Sequence, residues 1–138
     1  MLNPDGVING NYRCSLSGQD LNRKWKNPEK ILYPVVYEAK KMMKKISRER
    51  QISLFCDFHG HSRNKGIFMY GNNYINNPES TRLFPFILSK MYQEFLYKRS
   101  TFNVERSKEQ TARISMWREL KIPAIYTMEA SFCGPEKK

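Results

Sequence analysis

The stretch Ser53 to Gly71, SLFCDFHGHSRNKGIFMYG, constrains the fold of this chain more than any other. Leu54, Phe55 and Phe58 belong to a short apolar, β-tending run that reads as a buried strand. The run ends in a polar cluster, Asp57-Phe58-His59-Gly60-His61-Ser62. Such a cluster at the end of a buried strand is where α/β proteins place their sites. A basic turn (Arg63 to Gly66) separates it from a second apolar run, Ile67-Phe68-Met69-Tyr70. Both histidines of the protein, His59 and His61, sit in this stretch. Imidazole is the commonest metal ligand, and on a straight strand positions 59 and 61 share a face. Two readings stay open: a shared metal, and two exposed loop histidines.

The chain's 138 residues suffice for one domain with a core. Its net charge of +11 implies an acidic partner: nucleic acid, an anionic membrane surface or an acidic protein. The basic residues are spread over several segments. The densest run, Lys40 to Arg50, reads as the wet face of a helix. No RNA- or DNA-binding motif accompanies the charge, so no nucleic-acid partner is expected. No run is long and apolar enough to span a membrane, and no signal-peptide pattern is present. Cys14, Cys56 and Cys133 form neither a zinc-finger spacing nor a disulfide framework, which suits a reducing, cytoplasmic setting.

Met1 to Gly6 reads as a turn, and Val7 to Arg23 as loop. This loop ends in Asp20-Leu21-Asn22-Arg23-Lys24-Trp25. Asp, Asn, Arg and Trp packed this closely suit anion recognition by a guanidinium fork and an amide. A loop anchored by Trp25 with an Asp20–Arg23 contact is the plainer alternative. Pro34 to Arg50 predicts an amphipathic helix with Val35, Ala39, Met42 and Ile46 on its apolar face. A second helix is expected from Ser80, as cap, to about Arg99, with Leu83, Ile87 and Met91 on one face. Thr101 to Val104 is expected as a short strand, and a helix around Ile114 to Leu120 breaks at Ile122-Pro123. Ala124 to Met128 reads as a last buried strand, with Glu129 directly after it. A carboxylate there is costly unless paired or working. A general base with a raised pKa and a partly exposed glutamate are both consistent with that place.

Taken together, ordered pieces of the chain resemble the cytosolic carboxypeptidases, the tubulin-deglutamylase branch of the zinc carboxypeptidase family. They are Asn3-Pro4-Asp5-Gly6, Gly10-Asn11-Tyr12-Arg13-Cys14-Ser15, Asp20-Leu21-Asn22-Arg23, Asp57 to Ser62, Phe68-Met69-Tyr70-Gly71, Thr111-Ala112-Arg113 and Tyr126 to Ser131. The resemblance implies an α/β fold, a mixed β-sheet flanked by helices. It implies hydrolysis of C-terminal glutamates from polyglutamylated proteins, with tubulin and other acidic tails as partners and zinc as cofactor. On it, His59 corresponds to a zinc ligand and His61 to a residue supporting the metal shell. Glu129 corresponds to the general base and Arg13 to the arginine that polarises the scissile carbonyl. Asn22 and Arg23 correspond to the pair that binds the terminal carboxylate, and Arg113 to a reader of the glutamate side chain. An arginine fork suits a carboxylate because it makes two parallel hydrogen bonds.

One departure matters. The family draws its other two zinc ligands, a histidine and a glutamate, from an HxxE motif, and this sequence has none. The chain is therefore expected to be the C-terminal part of a carboxypeptidase catalytic domain, incomplete at both ends. A catalytically inactive fragment or pseudoenzyme that binds acidic tails is the alternative.

Overall fold

A computed structural model describes residues 1–135. The chain divides into two compact units. One comprises Met1–Ile52 with Glu105–Leu120, the other Ser53–Val104 with the chain from Lys121 onward.

The first unit opens with α1, Pro4–Ile8, where a turn is expected. Asn3 makes the difference. Its side-chain oxygen accepts the Gly6 N–H at 3.3 Å while its amide donates to the Cys14 carbonyl at 3.0 Å. An Asn cap followed by Pro at the first helical position is a strong start signal that outweighs the turn tendency of Asp-Gly. A 3-10 turn, Leu21–Arg23, interrupts the expected loop.

Helix α2 runs Pro34–Glu49, as expected within a residue, but its buried positions are Val36, Lys40 and Met43. Val35 and Met42, expected inside, are exposed, so the helix is rotated one position from the hydropathy reading. Lys40 explains the rotation. Its ammonium donates to the Trp25 and Lys26 carbonyls at 2.7 and 2.6 Å and pairs with Glu119. A lysine with three acceptors can be buried, which a hydropathy count does not register. Glu119 lies on α4, Ala112–Leu120, which begins two residues earlier than the expected helix.

The second unit is built on β1, Phe55–His61, β2, Ile67–Tyr70, and β3, Ile125–Ser131. β3 is central, parallel to β1 and antiparallel to β2. The sheet is mixed, as expected. Side-chain alternation gives it two different faces. Met69 and Tyr126 project from one face into an apolar cluster with Phe95 and Phe102, and Cys56, Ile67 and Met128 pack against that cluster. Phe58, expected to be buried, is 75% exposed, because the cluster reaches Cys56 on β1 but not Phe58.

Helix α3, Pro78–Met91, starts on Asn77, whose side chain accepts the Ser80 N–H, so Ser80 is not the cap. It stops at Met91 rather than near Arg99, and a separate 3-10 turn covers Tyr97–Arg99. Leu83, Ile87 and Met91 face outward, while Thr81 and Pro85 are buried. Pro85 has no N–H to offer the carbonyl four residues back, that of Thr81. The buried Tyr126 hydroxyl donates to that carbonyl instead, at 2.9 Å. The expected strand at Thr101 to Val104 reduces to a single bridge, Thr101 to Tyr70.

Candidate functional site

The sheet face opposite the apolar cluster carries Asp57, His59 and His61 of β1 and Thr127, Glu129 and Ser131 of β3. In the parallel register His59 is the partner of Glu129, Asp57 of Thr127 and His61 of Ser131. Register partners stand about 4.8 Å apart across neighbouring strands, with side chains on the same face. Glu129 also partners Phe68 of β2. It lies inside β3 rather than after it and is half-buried. A strand holds a carboxylate more rigidly than a loop does, and here the neighbouring strand sets an imidazole beside it.

His59 Nε2 lies 2.9 Å from Asp57 Oδ2, with both side chains mostly buried. A carboxylate oxygen only accepts, so Nε2 carries the ring proton that faces Asp57. His61 has a different task. Its Nδ1 accepts the N–H groups of Arg63 and Asn64 at 3.0 and 3.1 Å, and its ring meets Phe68 edge-on at 5.3 Å. His61 thereby fixes the turn between β1 and β2. A metal shared through that nitrogen would cost both turn bonds. Between the two histidines, Gly60 leaves room for the Phe132 ring; a Cβ there would fall 2.1 Å from it. Behind the sheet, Cys56 has its thiol pushed up to about 11, chiefly by burial and then by the nearby Asp57 charge.

The first unit gathers Arg13, Asn22, Arg23 and Arg113. Asp20 organises the first three of them. One of its oxygens takes Arg13 Nε at 2.8 Å and lies 3.7 Å from Arg23, and the other accepts the Asn22 N–H at 2.9 Å. The Asn22 side-chain oxygen in turn accepts the Ala112 N–H at 2.9 Å, at the first residue of α4. This fastens the Leu21–Arg23 turn to the helix end where Arg113 lies. Arg113 is 5% exposed, Arg23 is partly buried and the Arg13 side chain is about half exposed. A guanidinium is always charged, so Arg13 and Arg23 hold fixed positive charge around the Asp20 carboxylate. The Asp20–Arg23 contact foreseen in the sequence is present. The roles of Asp20 toward Arg13 and of Asp57 toward His59 were not foreseen, although the spacing of Asp57 and His59 on one strand carries the second.

Among the described residues no three His, Cys, Asp or Glu side chains converge as a cation site. The described residues by themselves therefore present no three-ligand cation site.

Comparison with known proteins gives these arrangements a class. The fold superimposes on solved metallo-carboxypeptidases. One from Pseudomonas aeruginosa gives a TM-score of 0.77 at 27% identity, and a structure described as carboxypeptidase A from Shewanella denitrificans gives 0.79 at 26%, each match covering 95% of this chain and 35% of the other. A Burkholderia cenocepacia metallo-carboxypeptidase, at 20% identity, shares the fold with a TM-score of 0.80. In sequence the chain is 51% identical to cytosolic carboxypeptidase 2 of Xenopus tropicalis and 46% identical to cytosolic carboxypeptidase 1 of Danio rerio, over 97% of its length. It is 44% identical to human cytosolic carboxypeptidase 4 over the same share. No family model matches it. The chain belongs to the cytosolic carboxypeptidase family, and it spans 13% and 14% of the length of the first two relatives.

Proposed function

We propose that this chain is the segment of a zinc metallocarboxypeptidase that carries the general base and the pocket for the substrate's C-terminus. The parent protein removes C-terminal glutamates from polyglutamylated proteins such as tubulin, in the cytoplasm. The pairing of His59 with Glu129 across β1 and β3 carries this reading. The Glu129 carboxylate is the register partner of an imidazole whose Nε2 is held by Asp57, which supports the reading. In this reading Glu129 takes a proton from the attacking water and returns it to the leaving amine. Asn22 and Arg23 hold the terminal carboxylate, Arg113 meets the glutamate side chain, and Arg13 steadies the negative charge that develops on the scissile carbonyl oxygen. His59 is the zinc ligand this segment contributes. Because the described residues hold no complete ligand set, no step through the metal is assigned to this chain alone.

The test is release of free glutamate from a polyglutamylated peptide by the extended parent protein. Glu129→Gln is expected to lower turnover by about two to four orders of magnitude with substrate binding retained. Unchanged release in that variant, or none from the wild type, would overturn the reading. The absence of a ligand set within the described residues favours one second reading, an inactive module that binds acidic tails. It predicts salt-sensitive binding of glutamate-rich peptides with no hydrolysis by any extended form.

A further inference from the structure

The buried Lys40 shapes the surface beside it on α2, where it is part of the lining of a groove. By holding the carbonyls of Trp25 and Lys26, it fastens the loop Lys26 to Glu29 alongside the helix. Loop and helix enclose an open groove of about 870 Å³. The helix side of the groove bears Lys41, Lys44, Lys45 and Arg48, and the loop side bears Lys26. All five are exposed. Positions 41, 44, 45 and 48 share one face of a helix, spread over two turns or about 10 Å.

The charges are unevenly compensated. Lys44 shares Glu119 with Lys40, and Lys41 lies 3.7 Å from Glu38. Lys45 and Arg48 make no ion pair among the described residues, and Glu29 is the remaining carboxylate of the lining. The groove therefore presents a strip of cations along a low-dielectric wall, which concentrates anions beyond what single surface lysines do. Tyr37 is its one aromatic lining residue, so it lacks the repeated stacking platforms that single-stranded nucleic acid uses. A chain with closely spaced carboxylates matches the strip better than stacked bases do.

We propose that this groove is a docking site for an acidic polypeptide segment, one rich in glutamate or aspartate, separate from the Arg23–Arg113 cluster. It deepens the reading given above and rests on it for the source of that segment: the acidic tail is held along α2 while its end is processed elsewhere. The docking itself is measured without hydrolysis.

The experiment titrates the 138-residue chain against a fluorescent oligoglutamate peptide, at low and at physiological salt. The triple variant Lys41→Gln, Lys45→Gln, Arg48→Gln is expected to weaken binding about tenfold and to flatten its salt dependence. A control triple, Lys65→Gln, Lys90→Gln, Lys98→Gln, removes the same charge from exposed positions of the other unit and is expected to change binding less than about twofold. Circular dichroism verifies that both variants keep the wild-type helix content. Equal weakening in the two triples would mean that net charge alone drives binding and would overturn the proposal. So would no binding by the wild type, or tighter binding of a single-stranded DNA oligomer than of the peptide. Groove-dependent binding together with no glutamate release from the extended parent would leave the docking site standing and remove the peptidase reading.

Discussion

Asp57 Oδ2 and His59 Nε2 are 2.9 Å apart on one strand, two residues from each other and on the same face of the sheet. The pair fixes a proton on His59 Nε2 and the orientation of the ring. Carboxylate–imidazole pairs of this kind orient histidines that bind metals. Asp57→Asn keeps the shape and can present either oxygen or NH₂ to the ring. The expected outcome is a mixture of Nε2-H and Nδ1-H tautomers, read from imidazole nitrogen chemical shifts. In the extended parent, zinc affinity is expected to fall about 10- to 100-fold. An unchanged tautomer in Asp57→Asn would show that the ring is held by something other than the carboxylate.

Asn22 has a structural task that its place in the sequence did not suggest. Its side-chain oxygen accepts the first amide of α4, ninety residues away. It therefore acts as a cap donated from a distant turn, and its loss leaves an orphan N–H at the helix start. Asn22→Ala is expected to cost about 1 kcal/mol in chemical denaturation. Arg23→Ala, at a partly exposed position whose contact with Asp20 is long, is expected to cost less than about half of that. Equal losses would place the stabilising contact on Arg23.

The sequence revealed the parts of the fold that rest on local patterns. β2 and α2 lie within a residue of where an apolar run and helical spacing put them, while β3 continues three residues past Met128 and β1 takes in the polar cluster expected at its end. Much of what it concealed has one physical origin: polar groups satisfied at long range. Position 40 is buried because carbonyls of residues 25 and 26 and a carboxylate of residue 119 meet one ammonium. That contact, invisible in a local window, rotates α2 by one position. The exposed side of α3 was misread for the same reason, since Pro85 and Thr81 are buried over a tyrosine hydroxyl supplied by β3. Asn77 and Asn3 were passed over as caps because Asn also signals turns.

The Tyr126 hydroxyl replaces the N–H that Pro85 lacks. Burial raises the phenol's pKa above its usual value, so the group stays a donor throughout the neutral range. Tyr126→Phe fills the same space and removes the donor, leaving the Thr81 carbonyl without it. The expected loss is about 1 to 3 kcal/mol in urea denaturation. Adding Pro85→Ala to Tyr126→Phe restores an N–H within reach of that carbonyl and is expected to recover part of the loss. If Tyr126→Phe is neutral, the carbonyl is satisfied another way.

Glu119 joins the two lysines of α2 to α4, and its charge makes stability depend on pH. Burial alone would raise its pKa, but the hydrogen bonds and charges of Lys40 and Lys44 outweigh that, and the carboxyl ends below its ordinary 4.5. A carboxyl with a lowered pKa in the folded state stabilises the fold above the unfolded value. That stabilisation fades as pH falls through the folded one. The protein is therefore expected to lose stability on acidification below about pH 4.5, where the unfolded carboxyl begins to take up protons. Other carboxylates titrate there as well, so the informative quantity is the difference between the wild type and Glu119→Gln. That difference is expected to be about 2 kcal/mol at neutral pH, since Lys40 keeps two carbonyl acceptors but loses its counter-charge. It is expected to shrink toward zero as the pH is lowered. Urea midpoints measured across that range for both proteins decide it, and a difference that stays constant with pH would place the effect in packing rather than in charge.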